Sequence, residues 1–524
     1  MNKAFQRAKS RKGVYRLSIE LPLSKIEIKK ITINLKIRSI FALILLFCLL
    51  SNSSLVYASG TNVPYDTYNF DYRKYTIRTP AAYLPEKTIS GTSLGIDAFL
   101  NPQDICMDGE GNVYVADTGN HRIVVMNADM NQVVKIITTF ENEGKTDTFN
   151  APYGVCVSEK NLLYIADSEN KRIVVLNDKD QLVKIIDKPT SEILADDFVF
   201  TPLKITVDYA DRVYCIAKGM FEGIMMFEDN GTFTGFFGTI KVKITLWEKI
   251  WKRLSTKEQR KKQLLYVPTE FTGADVDPGG FVYASNIDTE GVQAVRRLNP
   301  KGEDVIKKGK NENLGGDIFI GGITRYSGPS YIVDVVYREN GIYSLLDSRR
   351  GRIFTYDHEG NLLYIFGGLG TQSGTFTLPV AIESTKDRMI VLDSYRAELI
   401  SFQASEYGSL INKAVGLRFD GNEKEAVELW ERVLQIDENF ELAYIGIGKA
   451  YLTAGNNKMA LEYLKKGMDR QYYSIAYKRY RNAILKDNLG YVFTGAIVLL
   501  ITYQVVVRIK RKKHGKKDYE EGLG

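Results

Sequence analysis

Residues 102–127, PQDICMDGEGNVYVADTGNHRIVVMN, lie without a gap over residues 152–177, PYGVCVSEKNLLYIADSENKRIVVLN, at an offset of 50. Pro102 falls on Pro152, Cys106 on Cys156, Tyr114 on Tyr164, Asp117 on Asp167 and Arg122 on Arg172. Outward from this pair, a third copy keeps Pro202, Asp208 and Tyr214 but has Ala217 where the aspartate should stand. Later copies show Asp277 with Tyr283, Asp347 with Arg352, and Pro379 with Asp393. Each reads as short β-rich runs divided by Asp/Gly/Asn turns, such as Asp108-Gly109-Glu110-Gly111-Asn112. Four short strands in about 40–50 residues, six times over, predict the blades of an all-β propeller. An open ring would expose a strand edge. The sixth copy ends after Glu398 to Phe402, so its last strand is expected from the front, at Tyr83 to Ser90.

The repeated residues resemble NHL-repeat propellers, whose blades follow a pattern close to P-x-G-[VI]-x-[VI]-D-x-x-G-N-[VIL]-Y-V-A-D-x-x-N-x-R-I. The first two copies match nearly throughout, the others in part, and the resemblance covers residues 82–403. It implies a structural role for Asp117 with Arg122, Asp167 with Arg172, and Asp347 with Arg352, bonding the turn and the neighbouring blade. One insertion, 240–264, reads as an amphipathic helix with Trp247, Ile250, Trp251 and Leu254 on one face and lysines and arginines around them. Trp247 and Trp251 suit a membrane interface; packing on the propeller wall is the alternative.

From residue 407 the period becomes helical. Ala414, Leu417, Gly421, Ala426, Trp430 and Val433 recur as Gly448, Tyr451, Gly455, Ala460, Leu464 and Gly467, a shift of 34 residues. Small residues stand where paired helices touch, and the spacing resembles two tetratricopeptide (TPR) repeats over 407–470. The resemblance implies a surface for peptides or proteins, with Ala414, Ala426, Trp430, Gly448, Tyr451 and Ala460 as its packing residues.

Two apolar segments set the expected topology. Tyr491 to Val507 carries no charge and is followed by Arg508, Lys510, Arg511, Lys512, Lys513, Lys516 and Lys517. Residues 489–509 would span a ~30 Å hydrocarbon core as a single transmembrane helix after a juxtamembrane helix at 471–488, and the basic 510–524 tail marks the cytoplasmic side. Residues 1–58 read as a signal peptide with a long basic n-region and an eleven-residue apolar run from Ile40 to Leu50, followed by a linker at 59–81. An uncleaved anchor from Ile40 to about Ala58 is the competing reading. Between the two, residues 39–507 hold 52 Lys/Arg against 58 acids. The body is therefore mildly acidic, and the overall +7 gives no reason to expect nucleic-acid binding.

Chemistry is sparsely signalled. Three histidines, His121, His358 and His514, cannot supply the several ligands that zinc-dependent NHL-like lyases use, and no motif for a nucleophile or a phosphate loop is present. Cys106, Cys156 and Cys215 sit in apolar runs, an odd number without C-x-x-C. Calcium lactonases of the gluconolactonase type need no histidine. That resemblance implies channel ligands at Asp104, Glu270 and Glu383, although Gly154 and Lys204 at the positions equivalent to Asp104 suggest no carboxylate cluster. The sequence thus leads to a multi-domain chain: a six-bladed propeller, a small all-α TPR-like region and one membrane helix. It is expected to be a tethered extracytoplasmic scaffold for protein partners in envelope assembly or export. It is expected to be no enzyme and to carry no cofactor, with a lactonase or a glycan- or ligand-binding receptor as alternatives.

Overall fold

The computed structural model describes residues 63–194, 197–239, 270–288, 293–309, 314–317 and 330–521. The leader and the 240–264 insertion, with Trp247 and Trp251, lie outside the described residues.

Six antiparallel sheets form the blades, each running from an innermost strand outward. The innermost strands are Asp104–Met107, Pro152–Val157, Pro202–Val207, Phe271–Val276, Ile332–Tyr337 and Pro379–Ser384. Alternating Val, Ile, Leu and aromatic residues on both sheet faces bury between neighbouring blades. Val124, Ile165, Cys215, Ala284, Leu345 and Val391, one from each blade, are fully enclosed. Blade six is completed by Tyr83–Ser90, which pairs antiparallel with Glu398–Ala404 over the whole strand, from Ser90 opposite Glu398 to Tyr83 opposite Ala404. The two ends of the propeller segment therefore meet in one sheet, which removes an exposed edge.

The stretch expected to be a linker is structured from residue 63. Tyr68–Phe70 and Thr76–Arg78 make a short hairpin that adds to the outer strand of blade five, giving a six-stranded sheet. Tyr68 is anchored by its hydroxyl on Asp317 and its ring under the Arg352 guanidinium, 5.2 Å from the centroid. Strands of three residues are too short for alternation to show in sequence.

Five helices follow: α1 (Glu406–Phe419), α2 (Glu423–Ile436), α3 (Glu441–Thr453), α4 (Asn457–Lys466) and α5 (Arg470–Glu521). Ser405 caps α1 by accepting from Gly408 N, 3.2 Å, and Asn456 caps α4 by accepting from Met459 N, 3.2 Å. Ala414, Ala426, Trp430 and Ala460 are enclosed at the helix contacts. A Cβ on Gly448 would lie 2.6 Å from Leu464 Cγ, and Tyr451 packs on Tyr463 with ring centroids 5.5 Å apart. One apolar cluster runs without interruption from Leu346, Phe366 and Phe402 of blades five and six through Tyr407 and Ile411 to Trp430 and Ile447. Propeller and helical pairs thus share a core. Helix α5 is 52 residues long and unbroken, and it contains a segment long and apolar enough to cross a membrane.

Candidate functional site

The channel positions follow from the period of two along each innermost strand. One level is formed by Asp104, Gly154, Lys204, Gly273, Asp334 and Ala381, each paired with the equivalent residue of the second strand of its blade. Long polar residues from blades one, three and five alternate with small ones from blades two, four and six. The small residues let the strands close in. A Cβ on Gly154 would come within 3.1 Å of Lys204 Cα, and one on Gly273 within 2.8 Å of Asp334 Cα.

Lys204 reaches across to Asp104 in a short ion pair, and its ammonium lies 3.6 Å from Asp334 Oδ2. All three side chains are at least nine-tenths enclosed. Two levels of chemistry meet in each aspartate. Asp104 Oδ2 accepts from Val155 N at 3.0 Å, and Asp334 Oδ2 accepts from Ile382 N at 3.0 Å. These amides belong to the free inner edge of the following blade, where no strand can satisfy them. Asp275 does the same for Tyr337 N, 2.7 Å, and the thiols of Cys106 and Cys156 face Val157 and Val207 in the same way. The channel side chains therefore cap the edge of the next blade, a structural reason for burying them.

The second level holds Cys106, Cys156, Thr206, Asp275, Val336 and Glu383, and with Asp104, Lys204 and Asp334 of the first it lines a cavity of about 390 Å³. Burial works against the charge on Lys204, but Asp104 and Asp334 outweigh it and hold the ammonium protonated. Burial raises Asp334 to about 6, with Lys204 opposing and Asp104 assisting. Asp275 is raised to about 7 by burial, against two backbone donors and with Asp334 and Asp277 adding repulsion. Glu383 rises well above its usual range through burial and then the neighbouring Asp275. Burial likewise pushes up the thiols of Cys106 and Cys156. Near neutral pH the cavity thus offers carboxyl groups able to donate or accept, one shielded ammonium and no reactive thiolate.

Asp104 and Glu383 line this cavity, but Glu270 does not: it stands just before its strand and accepts from Gly219 N, 2.8 Å, on a rim. The expectation that the channel lacks a carboxylate cluster is corrected. Asp104, Asp275, Asp334 and Glu383, from blades one, four, five and six, line one cavity, and a comparison of the first three copies alone hides this. The set does not suit the calcium ion that the lactonase resemblance implies. Lys204 supplies the positive charge between Asp104 and Asp334, and no group of three or more metal-ligating side chains is arranged around a common point among the described residues.

The blade aspartates are scaffold residues in their geometry. Asp117 accepts from Arg122 Nε at 2.7 Å and from Leu100 N at 2.7 Å; Asp167 accepts from Arg172 Nε at 2.9 Å and from Asn150 N at 2.7 Å. Thr118 donates onward to Pro152 O of the next blade, 2.7 Å. The fifth copy departs from the expected pair. Asp347 accepts from Arg350, 3.4 Å, while Arg352 donates to the carbonyls of Asp66 and Gly367 at 2.6 and 2.5 Å. The N-terminal hairpin added to blade five draws the Arg352 side chain outward.

No curated protein matches the chain. Among solved structures, it is similar to virginiamycin B lyase from Staphylococcus aureus, with 10% identity, a TM-score of 0.38, and coverage of 61% of this chain and 99% of that one. A streptogramin B lyase covers 65% and 87% at 10% identity and a TM-score of 0.34. A gluconolactonase-like protein covers 62% and 94% at 12% identity and a TM-score of 0.37. The expectation of a chain that is no enzyme is corrected by these neighbours, which are described as enzymes; the fold gives no ground for excluding catalysis. At this distance they carry over no substrate and no residue. The NHL repeat family matches residues 99–126 and 149–176, within the first two blades.

Proposed function

We propose that the chain is a membrane-tethered binding protein, presenting an NHL propeller and TPR-like helical pairs as one rigid surface to protein partners outside the cytoplasm. A role in envelope assembly or export fits this arrangement. The observation that carries the reading is the shared core from blades five and six into α1–α3, together with the unbroken passage of α5 from those pairs into an apolar segment. Arg418 and Lys449 reinforce the junction by meeting Glu359 of blade five at 2.9 and 3.1 Å. A joint built this way holds two contact surfaces in fixed relation, which lowers the ordering cost of binding a partner that touches both. Orientation rests on the cluster from Arg508 to Lys517, which favours a cytoplasmic tail.

Crosslinking in native membranes followed by mass spectrometry tests the proposal. Reproducible protein neighbours crosslinked to both the propeller and α1–α4 are expected; recovery of none would defeat it. The 390 Å³ cavity favours a second reading, a receptor for a small polar ligand. Binding of a glycan or polar metabolite that is lost in Asp275→Asn with Glu383→Gln, while the fold is kept, would establish that reading instead.

A further inference from the structure

Helix α5 has two unlike halves before it becomes apolar. Its first turns pack on α3 and α4: Ala476 is fully enclosed, Lys449 lies 4.2 Å over the Tyr472 ring, and Arg479 Nη1 donates to Leu452 O at 3.4 Å. The contact with Leu452 places the α3–α4 turn beside Arg479. From Arg479 to Leu489 only ten residues remain, about 15 Å of helix. The headgroup layer on one side of a bilayer occupies about 5–8 Å. The helical pairs are consequently held close to the lipid surface.

This short neck is cationic. Lys478, Arg479, Arg481 and Lys486 are exposed, and Lys458 is exposed at the neighbouring α3–α4 turn. None of the five forms an ion pair among the described residues. Asp487 is the one acid between Arg470 and Arg508. At 100° per residue the four basic residues of the neck fall within about half of the helix circumference, and Tyr473, Tyr477, Tyr480 and Ile484 follow the other half. Tyr473 and Tyr477 stack at 10° with centroids 6.4 Å apart. The basic residues thus stand within a Debye length or two of the bilayer, with one acid beside them to offset their charge.

We propose that Lys478, Arg479, Arg481 and Lys486 form a collar that binds anionic phospholipid headgroups in the leaflet next to the helical pairs. The inference rests on the tethered reading. Charge complementarity selects the lipid, and the long basic side chains can reach down to the phosphates from one or two turns above the apolar boundary. Binding there would fix the tilt of the body as well as its height.

The test uses the full chain in lipid nanodiscs made from equal parts phosphatidylcholine and phosphatidylglycerol. Native mass spectrometry then counts the lipids retained by the released protein. Phosphatidylglycerol is expected in severalfold excess at low salt, with the excess shrinking at high salt. In Lys478→Gln/Arg479→Gln/Arg481→Gln/Lys486→Gln the excess should fall by about a third, the rest belonging to the basic residues from Arg508 onward. An unchanged excess in a variant with unchanged helix content would overturn the proposal, as would an excess indifferent to salt in the parent chain. A chain that fails to float with vesicles of phosphatidylcholine alone would instead defeat the tether itself. Loss of a crosslinked membrane protein in the variant with lipid selectivity intact would assign the collar to that protein and refute the lipid assignment.

Discussion

Lys204 stands at the point where three blades meet, and its value lies in what it prevents. Removing a buried cation leaves its carboxylates uncompensated, which typically costs about 3–5 kcal/mol. Lys204→Met is expected to destabilise the propeller by that order, and adding Asp104→Asn with Asp334→Asn should restore much of the loss, as measured by chemical denaturation of the full chain in detergent. Asp275 makes a separate, pH-dependent prediction. Its folded pKa of about 7 exceeds the ordinary carboxyl value of 3.8, so the folded state holds a proton that the unfolded state releases. Stability should therefore fall as pH rises from about 4 through about 7, by about 2–4 kcal/mol for this group. Thermal midpoints should drop between mildly acidic and mildly alkaline buffer, and Asp275→Asn should flatten that slope. A slope that Asp275→Asn leaves unchanged would show that Asp275 is ionised in the fold. The channel placement of Asp104 and Glu383 was legible in the sequence, but the ion pair of Lys204 and the burial of Asp275 were not. Asp104, Gly154 and Lys204 look unrelated in consecutive copies, and only the six-fold comparison reveals large and small residues alternating around the ring.

At the scale of elements, the closing strand and α1 depend on each other. Tyr83 begins the strand that seals the ring, stacks on Phe366 with centroids 4.8 Å apart, and accepts from buried Arg338 at 2.6 Å. Arg338 also donates to Tyr364, whose hydroxyl donates to Asn412 of α1 at 2.7 Å. Helix α1 presses so close that a Cβ on Gly408 would lie 3.0 Å from the carbonyl carbon of Ala82. Gly408→Val should loosen the closing strand and raise hydrogen exchange at Tyr83–Ser90; unchanged protection there would separate the helices from ring closure. Within the pairs, Trp430 is fully enclosed. Trp430→Ala is expected to cost about 3–5 kcal/mol in denaturant unfolding, and Trp430→Phe distinctly less, because the ring retains most of the apolar contact. The blades, the closing strand and the helical period were readable because each repeats a pattern long enough to have a phase. The hairpin on blade five was not, since two strands of three residues carry no periodicity. Helix α5 reads in sequence as three pieces, because composition changes along it while nothing in it breaks a helix.

For the whole molecule, the balance of charge around the membrane segment is finer than the tail alone suggests. Five basic residues, Arg470, Lys478, Arg479, Arg481 and Lys486, precede it, against seven from Arg508 to Lys517. The excess still favours a cytoplasmic tail. Propeller, helical pairs and neck would then face outward as one body, with the channel cavity accessible from that compartment. Protease added to intact cells tests this most directly, with antibodies against the propeller and against the C-terminal tail. The account predicts that propeller epitopes disappear while the tail remains protected; an intact propeller beside a clipped tail would contradict it.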